Sequence, residues 1–188
     1  GPTSDGVPVS VLICNFPAGD HTTGLMEHQQ VETFLHEFGH LIHGMFSGQP
    51  DFASLTMGNL EWDFIEAPSQ MLENWVWDYD TLARFAVNAE SETIPRALVE
   101  KMNAARDFGT GLATLRQLTY AYISLDYYNR PPDEVDFDQL WDARQSALSP
   151  FETLPDTHRY ASLGHLDGYS AIIYTYQWSL AISTDLFT

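Results

Sequence analysis

Positive charge is what this sequence most lacks. Against 26 aspartates and glutamates it sets eight lysines and arginines, for a formal net charge of −18. Lys101 is the single lysine, and no basic residue precedes Arg84. A protein that grips nucleic acid needs basic side chains to neutralise phosphates, so that class is excluded. An anionic membrane surface is disfavoured for the same reason. Cysteine is nearly absent too. Cys14 stands alone, which rules out an intrachain disulfide and a thiolate zinc cluster. No apolar run approaches the length of a bilayer span, and there is neither a charged-then-apolar leader nor an N-glycosylation sequon. The expectation from these absences is a cytoplasmic protein.

What is present describes a folded chain. At 188 residues and 44% hydrophobic content it can bury a real core. The acidity reads mainly as a solvated surface. In the half without bases it also suits a site for a dication, whose charge carboxylates would partly offset. "VPVSVLICNF" places Val7, Val9, Val11 and Ile13 on one face, the pattern of a strand. From about Glu27 to Phe46 the apolar positions 31, 34, 35, 38, 41, 42 and 45 follow helical spacing. A second helical stretch is expected from Trp62 toward Arg84, with Pro68 as a kink or boundary. Further helices are expected at 94–106, 111–128 and 137–147, with "NRPPDEVD" as a loop, and a last one from near Gly168 to the end. The fold class is therefore mainly α with a small β element. The final "AISTDLFT" carries no helix-ending signal, so residues 1–188 are expected to be part of a single domain truncated at both ends.

Three histidines, His36, His40 and His43, fall within "VETFLHEFGHLIHGMF", opposite its apolar face. His36 and His40 are one turn apart and can aim their rings at a common point about 2 Å from each donor nitrogen, which suits zinc. Glu37 follows the first of them, beside the metal without binding it, where a general base must stand to take a proton from a metal-activated water. His-Glu-x-x-His is short and arises by chance in roughly one or two chains per hundred. Its position off the core face of an amphipathic helix makes it far more informative. His43 lacks the spacing of a third histidine ligand and reads as a packing or supporting residue. A catalytic zinc site uses a third protein ligand and keeps a position open. Asp51, Glu61, Asp63, Glu66 and Glu73 are the candidates, and spacing does not choose between Glu61 and Glu66.

"VETFLHEFGHLIH" followed by "DFIEAPSQMLENWVWD" resembles the thimet oligopeptidase, neurolysin and oligopeptidase A family of zinc metallopeptidases. The resemblance runs from about Val9 to the end, with a loop one residue longer between the two motifs. It implies a zincin-like helical catalytic core and one zinc ion per chain, held by His36, His40 and Glu66, with Glu37 as the base. "SLGHLDGYSAIIYTYQWS" is similar to the segment that, in this family, turns a histidine and tyrosines toward the metal. His165, Tyr169 and Tyr176 match it, although Ile173 stands where the family usually has tyrosine and the segment is one residue shorter before Tyr169. Phenol and imidazole donors aimed at a developing oxyanion lower the barrier to attack. On a last helix starting near Gly168, positions 169, 173 and 176 would share a face. The implied activity is hydrolysis of short peptides, with the strand "VSVLICNF" available to pair with an extended peptide. The acidity favours neutral or basic peptides. Two alternatives remain at this level: a non-catalytic zinc-binding relative, suggested by Ile173, and a thermolysin-like site using Glu61.

Overall fold

The computed structural model describes residues 9–20, 22–47 and 57–188. Among these the secondary structure is helical: α1 (His28–Phe46), α2 (Ala67–Glu73), α3 (Tyr79–Leu82), α4 (Arg96–Ala105), α5 (Thr110–Tyr128), α6 (Phe137–Leu148) and α7 (Thr175–Phe187), joined by short 3-10 turns. The mainly α expectation holds. No described helix is long and apolar enough to cross a membrane. The chain forms two compact units, one of residues 1–107 with 179–188 and one of residues 108–178.

In the first unit, the apolar stripe of α1 does what its spacing requires. Val31 and Leu35 pack against a core of Val76, Leu82 and Val99, with Trp77 and Ile94 around it. The Gln30 side chain accepts the Glu27 backbone N–H at 2.8 Å and so closes the first turn of α1. The helical stretch expected from Trp62 toward Arg84, with Pro68 as a kink or boundary, consists of a 3-10 turn, α2, a second 3-10 turn and α3. Pro68 lies in the first turn of α2, where its missing N–H is not needed. Asp78 then restarts the helix by accepting the Thr81 N–H at 2.8 Å.

The small β element takes a different form from the one expected. Val7 and Pro8 lie outside the described residues, and from Val9 to Phe16 the chain has no ladder partner among them. The β pairing that is present is an isolated antiparallel bridge between Val87 and Thr93. The period of two is nonetheless real, with inside and outside reversed. Ser10 would meet a Cβ on Gly44 at 3.1 Å, and the Phe16 ring lies 6.3 Å from that of Phe34, so the even residues face α1. Val9, Val11 and Ile13 are 87%, 78% and 83% exposed. Periodicity reports that a face is apolar; it does not say what covers it.

In the second unit, α5 and α6 pack around Ile123, Tyr127 and Trp141. Asp126 accepts two hydrogen bonds from the Arg144 guanidinium, at 2.6 and 3.0 Å, and the Tyr127 hydroxyl donates to the Phe137 carbonyl at 2.7 Å. Asp136 closes the predicted loop and caps α6 through the Gln139 N–H at 3.0 Å. The last helix starts later than expected, at Thr175. Gly168 and Ala171 adopt left-handed backbone conformations, with φ of 89° and 58°, and these stop a helix from forming across 168–174. The fully buried Ser124 hydroxyl of α5 accepts the Ala171 N–H at 3.0 Å and holds that conformation in place. Tyr169 and Ile173 therefore precede α7 and do not share a helical face with Tyr176. Ile123 is the centre of this packing, and Ile123→Ala is expected to lower the unfolding free energy by about 2–5 kcal/mol, measured by urea denaturation.

Candidate active site

The site on α1 depends on how closely α2 approaches it. Gly39 is buried, and a Cβ there would stand 2.5 Å from the Ser69 Cα and 3.0 Å from the Pro68 carbonyl oxygen. Only a residue without a side chain lets the two helices cross at this distance. The crossing delivers Glu66, the residue that opens α2, to the two histidines. Glu66 Oε2 lies 3.2 Å from His36 Nε2 and 3.1 Å from His40 Nε2. The His36 and His40 rings are 4.9 Å apart and nearly perpendicular.

These three side chains offer one ligand atom each, all within 4.8 Å of one another. Bonds of about 2 Å arranged tetrahedrally separate neighbouring ligand atoms by about 3.3 Å. The two oxygen–nitrogen separations are already close to that value. Two imidazoles and a carboxylate, with no thiolate, are also a donor set of a catalytic zinc site. The residues therefore fit the ion. Glu61 is exposed and outside this group; His43, also outside it, is half-buried, and its pKa is lowered by burial and by the neighbouring His40. Asp51 lies outside the described residues. Of the candidate carboxylates among the described residues, Glu66 is the one grouped with His36 and His40.

Glu73, considered above only as a ligand, has another place. Its Oε1 is 2.6 Å from His36 Nδ1, on the ring edge opposite Glu66. A carboxylate there accepts the Nδ1 proton and leaves Nε2 to face the metal. Glu66 and Glu73 are two turns apart along one face, a signal present in the sequence but open to many readings. Ser69 is a further supporting residue: its buried hydroxyl donates to the Glu66 carbonyl at 2.9 Å and to Glu66 Oε2 at 3.2 Å. Glu37 is half-buried on the same helix. Burial raises the Cys14 thiol pKa, and the Glu37 charge raises it further.

Glu66 is 2% exposed, an unfavourable place for a carboxylate. Burial opposes its charge, but hydrogen bonds from His36 and His40 more than offset that and hold its carboxyl well below the usual range. His36 shows the reverse. Burial works against its charged form, yet the carboxylates of Glu66 and Glu73 push its pKa up to about 10.

The remaining predicted residues cluster in the second unit. His165 Nε2 and the Tyr176 hydroxyl are 3.0 Å apart. The Tyr169 ring stacks on that of Tyr176 at 5.8 Å and meets His165 edge-on at 5.3 Å. Ile173 is buried, 3% exposed.

The sequence model of peptidase family M3 matches residues 2–188. Relatives include the organellar oligopeptidase A, chloroplastic/mitochondrial, of Arabidopsis thaliana, 35% identical over 97% of this chain and 24% of its own length. Saccharolysin of Saccharomyces cerevisiae is 30% identical, over 98% of this chain and 27% of its own. The thimet-like oligopeptidase of Dictyostelium discoideum is 34% identical, over 96% of this chain and 28% of its own. The chain thus spans about a quarter of the length of these relatives.

Two outcomes follow from this geometry. Gly39→Ala is expected to weaken zinc binding by about tenfold or more, read by competition with a chromophoric chelator; unchanged affinity would contradict the role of the crossing. In protein stripped of metal, the raised His36 pKa contributes stability that is complete below pH 6.5 and lost as pH rises to about 10. The unfolding temperature should fall over that interval, and the fall should be smaller in Glu73→Gln.

Proposed function

The chain belongs to peptidase family M3, and from that premise we propose that it carries the catalytic machinery of a zinc-dependent oligopeptidase. The observation that carries this reading is the convergence of His36, His40 and Glu66, to which the resemblance adds Glu37, the residue after His36 on α1. Residues 1–188 are read as part of one zinc-peptidase catalytic domain, with one ion per chain and short peptides as substrates. A cytoplasmic location belongs to the same proposal, supported by the single cysteine. Recovery of the protein in an organelle fraction would refute it.

Bound zinc would supply Lewis acidity, lowering the pKa of a water and polarising the scissile carbonyl. The chain's own groups do the rest. His36, His40 and Glu66 would hold the ion, and Glu73 would fix the tautomer and tilt of His36 through Nδ1. Glu37 accepts the proton of the attacking water and passes it to the leaving amine, splitting one unfavourable charge separation into two transfers through one carboxylate. Tyr176 and His165 donate to the oxyanion or hold the substrate, with Tyr169 as the ring that stacks on Tyr176. Support for these three roles comes from the family resemblance and from their mutual contacts. The His165–Tyr176 pairing also favours a working enzyme over a non-catalytic zinc-binding relative, because packing alone does not require two polar tips to meet.

Chelation should abolish peptide cleavage, and added zinc should restore it. Glu37→Gln should lower kcat by about 10²–10⁴-fold while leaving the zinc content unchanged. Turnover that survives this substitution would leave Glu37 without the proposed role.

A further inference from the structure

Within the first unit, α1 meets the chain that runs against it at successive levels. Gly39 meets Ser69 at the close crossing, His36 Nδ1 lies 2.6 Å from Glu73 Oε1, and Glu32 Oε1 accepts the Trp77 indole N–H at 3.3 Å. From 39 down to 32 on α1 the partners run up from 69 to 77, as in two antiparallel segments joined turn by turn. The middle level orients a proposed metal ligand. The crossing at Gly39 bounds it on one side, and the Glu32–Trp77 bond bounds it on the other.

That outer bond has a firm anchor. Trp77 ends the 3-10 turn Asn74–Trp77, which follows directly on Glu73. The His28 ring meets it edge-on at 4.5 Å, and Arg106 Cζ lies 4.9 Å from its ring centre. Its carbonyl accepts the Asn103 side-chain N–H at 2.9 Å, and the Arg106 guanidinium donates to Asn74 Oδ1 at 2.9 Å. The turn is thus tied at both ends to the end of α4.

An indole–carboxylate hydrogen bond is by itself an ordinary tie between two segments. What distinguishes this one is what its two ends carry. Glu32 precedes His36 by one turn on the same face of α1, and Trp77 closes the turn that follows Glu73. A shift at this level moves both partners of the His36–Glu73 contact, and a hydrogen bond as short as 2.6 Å tolerates little movement. Burial and then the Glu73 charge raise the Glu32 pKa, while the Trp77 hydrogen bond lowers it, so the indole holds Glu32 in place against both.

We propose that Glu32 and Trp77 are positioning residues for the metal centre, closing the outer end of this ladder and setting the contact of Glu73 with His36. The inference rests on the reading of His36 as a zinc ligand and adds two residues that touch neither the ion nor the substrate.

The test is zinc affinity, read by competition with a chromophoric chelator. Glu32→Ala is expected to weaken it by about tenfold. Trp77→Phe keeps a ring and drops the donor, so it tests the same bond should Glu32→Ala fail to fold, and it is expected to match that loss. Glu32→Gln, whose amide oxygen still accepts the indole N–H, should keep wild-type affinity. In a Glu73→Gln background neither loss should appear, because the pair acts through Glu73; a purely structural tie would weaken binding there just as much. Unchanged affinity in Glu32→Ala and Trp77→Phe overturns the inference, as does a loss that persists undiminished without Glu73. The metal-free protein separates this inference from the zinc reading. There the His36 Nδ1–H proton resonance should shift or broaden in Glu32→Ala and not in Glu32→Gln. That response in a protein that binds no zinc keeps the positioning pair and removes the metal reading. A resonance indifferent to both Glu32→Ala and Trp77→Phe overturns the inference whether or not zinc binds.

Discussion

The helix crossing at Gly39 and Ser69 is the constraint on which the candidate site depends. A Cβ at position 39 would sit 2.5 Å from the Ser69 backbone, so a single missing side chain sets the distance between α1 and α2. That distance brings a buried carboxylate within 3.2 Å of two imidazoles. Burying Glu66 is expensive unless positive charge meets it. His36, whose pKa the carboxylates of Glu66 and Glu73 raise, can supply that charge when metal is absent, and a dication would supply it more fully. Glu73 meets His36 on the ring edge away from Glu66.

The two compact units divide the chemistry by charge. The first concentrates carboxylates around histidines, as a dication site requires. The second gathers two arginines, a histidine, a tryptophan and tyrosines around one cavity. Net charge alone argues for neutral or basic peptides.

Much of this was legible in the sequence where the signal is local. The spacing on α1 gave the helix and the packing of Val31 and Leu35 against the core, and α4, α5 and α6 lie within two residues of their expected bounds. The "EAPSQ" motif pointed to Glu66 by resemblance, and the structure places that carboxylate beside the histidines. What was not legible depends on partners distant in the chain. Val9, Val11 and Ile13 carry a strand's period, but the face they present is exposed, because α1 takes the even residues instead. The start of α7 is set by Ala171, whose left-handed backbone is held by Ser124 from 47 residues away. No propensity at an alanine announces that. The cavity draws its lining from separate segments, so no window of sequence displays it.

The claim at the centre of this account is that Glu66, brought in by the helix crossing, completes a metal site with His36 and His40. The most direct measurement is the zinc-to-protein ratio of the purified protein beside its Glu66→Ala variant, with the folded state of both followed by far-UV circular dichroism. The account predicts about one zinc per chain, lost in a variant that keeps its helical spectrum. A helical wild type without zinc, or a variant that retains it, would contradict the account.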